Sequence, residues 1–171
     1  MLIDLLLGDI ADGVADIDAV GAVTVLPGER ESVKAHINSY ECLQELMGIE
    51  EIAGTVIIDN AKGDKLQLNR RFVTMFHNFL EIPRLHHDER GNIDRAEIEE
   101  TLKAKGMLVF AEVPAGKAST AALLENFKQS IFAPIETDRV IKYITISIAG
   151  AVNVDDMRKD IGVPVDVFCT Y

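Results

Sequence analysis

The strongest constraint on the fold is a pair of short, apolar, β-branched runs with a helical stretch between them. Residues 21–26 (GAVTVL) stop at Pro27-Gly28, and residues 55–58 (TVII) stop at Asp59-Asn60. Runs this short, with little polar alternation, suit strands buried on both faces. From Ser32 to Leu46 apolar side chains recur at helical spacing, and Val33, Ile37, Tyr40, Leu43 and Leu46 are expected on one inward face. Strand, helix and strand with short links imply a right-handed parallel βαβ unit.

Around that unit, residues 2–20 read as one or two helices broken near Gly13. Residues 66–80 carry Leu68, Phe72, Met75, Phe76, Phe79 and Leu80, a stripe wide enough for a long helix gripped on several sides. Pro83 is expected to end that helix, and a polar loop follows over residues 86–92. Asp94 caps a further helix that runs to about Lys105, with Gly106 as its terminal glycine. The pattern then predicts a strand at 107–113, a helix at 119–132, a strand at 140–148, a short helix at 154–161 and a strand at 165–171. The class is α/β: a parallel, doubly wound first part, then helices alternating with strands around another sheet.

At 171 residues the chain suits one domain or parts of two. Its net charge of −11 argues against duplex nucleic acid as a partner, and Asn69-Arg70-Arg71 is too short for a groove-tracking basic patch. An acidic surface still permits a nucleotide site, because backbone amides and helix ends bind phosphate. Cys42 and Cys169 lie far apart in a sequence that opens without a basic or long apolar leader, so reduced thiols in a cytoplasm are expected. No run reaches the ~18 apolar residues of a membrane span. His36 and His77 are single residues on helical segments, read as bland surface or core positions, and neither cysteine has a histidine partner in a nucleophile motif.

The densest chemistry lies in Gly91-Asn92-Ile93-Asp94-Arg95-Ala96-Glu97-Ile98. Asp94 and Glu97 have the spacing of a helix capping box, and that spacing also places both carboxylates on one face, able to address one water. The stretch from His86 to Glu97 matches an EF-hand calcium loop at its glycine, central isoleucine and closing glutamate, but puts His86 and Arg90 at ligand positions where a hard cation needs oxygen. His86-His87 lacks the spacing of a zinc site. Read by themselves, these residues leave a cap, a broken calcium loop and a catalytic loop open.

The same stretch resembles the synergy loop of the tubulin/FtsZ superfamily, patterned Asn-x-Asp-x-x-Asp/Glu before an apolar residue. Residues 55–60 (TVIIDN) resemble the family strand that ends beside the guanine base, closing with Asp-Asn as in tubulins. Asn69-Arg70 sits on the long helix where tubulins place a base-contacting asparagine, and residues 21–27 resemble the strand before the sugar-facing loop. The divergent bacterial, plasmid and phage (TubZ-like) members fit better than eukaryotic tubulin or FtsZ. The family's GGGTGTG-type phosphate loop does not occur here, so the chain is expected to start just downstream of it as a fragment.

The resemblance implies a division into the later part of a GTP-binding domain (1–64), a central helix and loop approach (65–92) and an activation domain (93–171). It implies that Asp94 and Glu97, with Asn92 shaping the loop, act on GTP and its Mg2+ held by the adjacent subunit of a head-to-tail filament. Asn60 and Asn69 would contact the base. The chain alone would then be inactive and hold no nucleotide tightly. A non-catalytic module that binds or caps filaments through the same surface is the alternative.

Overall fold

The computed structural model describes residues 19–85, 93–113, 119–134, 143–147, 155, 159 and 166–170. In chain order its elements are β1 (Val20–Leu26), α1 (Val33–Met47), β2 (Ile52–Asp59), a 3-10 turn (Asn60–Lys62) and α2 (Lys65–Leu85). Then come α3 (Arg95–Lys103), β3 (Gly106–Met107), α4 (Thr120–Gln129), β4 (Tyr143–Ser147) and β5 (Asp166–Thr170). One sheet has the order β1-β2-β3, and a second pairs β4 with β5. All the strand pairs named are parallel. The α/β class and the βαβ unit expected from the sequence are therefore present.

β2 organises the first sheet. One edge pairs with β1 from Val20↔Ile52 to Leu26↔Asp59. The other edge is shared. Gly54 and Thr55 pair with Gly106 and Met107, and further along the Asp59 N–H donates to the Ile131 carbonyl (2.9 Å) and the Ala133 N–H to the Ile57 carbonyl (2.8 Å). Val56 and Ile58 are buried under Leu68, Phe72 and Met75 of α2 and under Ile131 and Phe132. Gly54 has no room for a side chain, since a Cβ there would lie 2.3 Å from Leu108 Cδ1 and 3.0 Å from the Leu102 carbonyl oxygen.

Several expectations change. The strand predicted at 107–113 is only the two-residue β3, because Phe110 leaves the sheet to join the rings of Phe72, Phe76, Phe79 and Phe132 at centroid distances of 5.4–6.5 Å. Residues 131–133 take over the edge of β2 that it vacates. Pro83 does not end α2, which continues to Leu85. A proline in a helix's last turn forfeits one N–H donation, here to Phe79, and buried Ile82 beside it holds the turn in place. α3 ends at Lys103, and Gly106, with φ of 121°, opens β3 instead of capping the helix.

Two helices are also gripped differently from the expectation. On α1 only Leu46 of the expected face is fully buried; Ala35, Ser39 and Leu43 are half-buried, whereas Val33, Ile37 and Tyr40 are exposed. Small side chains bring α1 close to the sheet and turn its larger apolar residues outward. α2 is held on one face rather than several: Leu68, Phe72, Met75, Phe79 and Ile82 are buried, but Leu66, Val73 and Leu80 are exposed. Of the one or two helices expected over 2–20, residues 2–18 lie outside the described residues and Val20 already belongs to β1; the loop at 86–92 also lies outside them, as does most of 154–161, of which Asp155 and Lys159 are helical.

Because the Gly54 contact includes a backbone oxygen that cannot rotate away, Gly54→Ala should destabilise the chain by about 1–3 kcal/mol. Urea unfolding monitored by circular dichroism measures this.

Candidate functional site

The loop leading into α3 is fixed from both sides. Ile93, just before the cap, is 0% exposed and packs with Phe79 and Ile82 of α2 and with Ile98 of α3. Ile93 and Ile98 occupy the two positions of a hydrophobic staple, which sets the angle at which a chain enters a helix. Asp94 Oδ1 accepts the Glu97 N–H at 3.0 Å, and Glu97 Oε2 accepts the Asp94 N–H at 2.9 Å. The capping box is thus complete. It uses one oxygen of each carboxylate and leaves Asp94 Oδ2 and Glu97 Oε1 outside the box. Asp94 is exposed and Glu97 half-buried. Arg95 pairs with Glu99 one turn on, at 2.8 Å, and not with either of the two acids. The structure therefore brings Asp94 and Glu97 together; Asn92, the third predicted member of the loop, lies outside the described residues.

The second cluster lies at the C-terminal ends of β1 and β2, the end at which open parallel sheets bind ligands. Asp59 caps the 3-10 turn by accepting the Ala61 N–H at 2.9 Å. Next to it, Asn60 buries its Oδ1 with no hydrogen-bond partner. An amide oxygen stranded in this way costs about 1–3 kcal/mol. The backbone of Gly28 lies against Asn60, since a Cβ at Gly28 would stand 3.4 Å from the Asn60 carbonyl oxygen. Asn69 is exposed on the second turn of α2.

The sequence reading missed Glu31 and Lys65. Glu31 accepts the Gly28 N–H at 3.3 Å and the Lys65 ammonium at 2.5 Å, tying the loop after β1 to the start of α2. The Lys65 hydrogen bond, and then the Gly28 N–H, hold the Glu31 carboxyl below the usual carboxylate range. A depressed value means that any stability from this pair is present above that range and is lost on acidification. The partners stand 34 residues apart, so no local spacing could have revealed them.

The two clusters sit at opposite ends of α2. With 21 residues that helix is about 30 Å long, so one chain cannot bring both clusters to a single nucleotide. His36, His77 and Cys42 are exposed. Among the described residues no three His, Cys, Asp or Glu side chains converge as a metal site, and no helix is long and apolar enough to cross a membrane. His86 and His87 lie outside the described residues.

No protein-family model matches the sequence. A curated relative, the tubulin-like protein TubZ of Clostridium botulinum C phage, is 28% identical over 155 residues, spanning 88% of this chain and 42% of TubZ. The crystal structure of Clostridium botulinum phage c-st TubZ superposes with a TM-score of 0.79 at 27% identity, covering 95% of this chain and 54% of that one. Its form lacking the C-terminal tail gives the same TM-score at 26% identity, covering 99% of this chain and 55% of that one. This chain is a tubulin/FtsZ-like relative of TubZ. It spans about half the length of the TubZ chains it matches.

The staple and the box should be separable by mutation. Ile93→Ala, which empties a fully buried site, should cost about 2–5 kcal/mol. Asp94→Ala, which removes only the cap, should cost about 1 kcal/mol. Chemical denaturation of the two variants in parallel checks the order.

Proposed function

We propose that this chain works in a GTP-dependent, filament-forming tubulin-like system, where Asp94 and Glu97 act on GTP held by the next subunit along the filament. The observation that carries this reading is the separation of the carboxylate pair from the Asn60 cluster by the length of α2. Subunits stacked head to tail would bring the acid end of one against the base end of another. On this reading residues 1–64 belong to the nucleotide-binding domain, 65–92 to the central helix and loop approach, and 93–171 to the activation domain. A cytoplasmic setting goes with it, as does a surface too acidic for direct duplex binding.

Hydrolysis of a γ-phosphate depends on placing a water in line and on stabilising charge around the transferred group. Asp94 and Glu97 already have fixed backbone positions, so each can present its second oxygen to that water at little further ordering cost. One acid orients the water and the other polarises it or takes its proton. Asn92 would shape the loop before them. Asn60 would lie beside the base at the end of β2, and Asn69 would approach the base from α2. Mg2+ would arrive with the GTP and neutralise phosphate charge.

A second reading, favoured by the completed capping box, is a non-catalytic module that binds or caps filaments through the same end. Conservative substitutions separate the two. Glutamine serves in a capping box as glutamate does, and asparagine caps as well as aspartate. Glu97→Gln and Asp94→Asn should therefore leave stability nearly unchanged. In the polymerising protein that carries these residues, each should lower GTP turnover by about 10²-fold or more, with nucleotide binding retained. Phosphate release and binding of a fluorescent GTP analogue provide the readouts. Unchanged turnover would remove the catalytic assignment and leave the binding module.

A further inference from the structure

In a chain of net charge −11 an exposed cation has carboxylates within easy reach, and Lys65, Arg84, Arg95 and Lys103 each meet one. Lys62 and Arg71 do not. Among the described residues neither takes part in an ion pair or a side-chain hydrogen bond. Both instead line a cavity of about 200 Å3 between the start of α2 and the segment that follows α4. Asp64 and Gln67 share their wall, and Ser130 contributes from the other segment. Along α2 the lining positions 64, 67, 68 and 71 recur at steps of three or four residues, so they stand on one side of the helix. Lys65 and Asn69 belong to another side, where Lys65 reaches Glu31. The cavity therefore opens away from the Glu31–Lys65 tie.

We infer that this cavity binds a small oxyanion, free inorganic phosphate or an ion of its shape, between the Arg71 guanidinium and the Lys62 ammonium. A guanidinium meets two oxygens of such an ion with its planar fork, and an ammonium adds a point charge. The positive end of the 21-residue α2 lies at the same place. The other segment supplies a buried donor. Ser130 is 1% exposed, and its Oγ donates to the Phe110 carbonyl across 3.4 Å, well beyond the usual hydroxyl distance of about 2.7–2.8 Å. A proton held that weakly can turn to an anion. Asp64 opposes the ion, but one of its oxygens is committed to the Gln67 N–H at 3.0 Å, and two cations outnumber it. The volume sets the size of the ligand. Sites for drug-sized molecules run to about 300–1,000 Å3, so this one admits a compact ion and not a whole nucleotide. The inference depends neither on Asp94 and Glu97 nor on the role proposed for Asn60.

The test titrates the full chain with inorganic phosphate at constant ionic strength, read by calorimetry and by amide chemical shifts. Saturable one-to-one binding with a Kd of about 1 mM or tighter is expected, with the shifts centred on Gly63, Gln67 and Arg71. Arg71→Gln should weaken it by about 10-fold or more through the loss of charged hydrogen bonds. Arg70→Gln removes the same charge next door but outside the cavity, and should change the affinity by less than about twofold. Asp64→Asn keeps the helix cap and removes the opposing charge, so it should tighten binding by about threefold or more. All three side chains are exposed, so the folded chain should tolerate each change. Absence of saturable binding up to about 20 mM phosphate overturns the proposal. Equal losses in the Arg70 and Arg71 variants overturn it as well, by reducing the effect to diffuse charge. Weaker binding by Asp64→Asn does the same, because an anion site must gain when that carboxylate is removed.

Discussion

The contact between the buried stripe of α2 and the face of β2 supports everything else in the first sheet. Phe72 and Met75 lie over Val56 and Ile58, and Phe132 closes the space at 0% exposure. Phe110 meets Phe72, Phe76, Phe79 and Phe132 and so joins that cluster to the α3 side of the molecule. Interleaved rings of this kind fill volume at near-crystalline density and permit few alternative arrangements. α2 is consequently a rigid spacer between two chemically distinct ends.

Each end of that spacer is set by a different type of interaction. At the start of α2 the elements are polar and partly exposed: the Glu31–Lys65 pair, the Asp59 cap and the stranded Asn60 oxygen. Exposed ion pairs contribute little to stability, so this end is shaped mainly by the close approach of Gly28 to Asn60. At the far end the Asp94–Glu97 box is polar but stands on a dry footing, because Ile93 and Ile98 are buried against α2. A carboxylate pair on that footing keeps its spacing when its surroundings change.

Much of this was legible in the sequence. The uncharged runs at 21–26 and 55–58 identified the parallel strands, and the spacing from Leu68 to Phe79 identified the long helix. Asp94 and Glu97 carried a cap signature that the hydrogen bonds reproduce. The failures share one cause, which is competition between distant segments for the same space. Residues 107–113 have a strand pattern, but Phe110 gains more from an aromatic cluster than from a sheet edge that residues 131–133 also fit. The apolar residues of α1 do mark a stripe, but small Ala35 and Ser39 determine which side approaches the sheet.

The sequence by itself determined the local chemistry: that residues 21–26 and 55–58 are strands, that the stretches between and after them are helical, and that Asp94 and Glu97 share a helix start. These follow from side-chain periodicity and from hydrogen bonds that close over three or four residues. Only the tertiary structure decided that Ile93 anchors those acids, that Glu31 meets Lys65, and that Asn60 keeps an unpaired oxygen. Those outcomes depend on which distant surfaces fill one another's volume, and no short-range pattern records that.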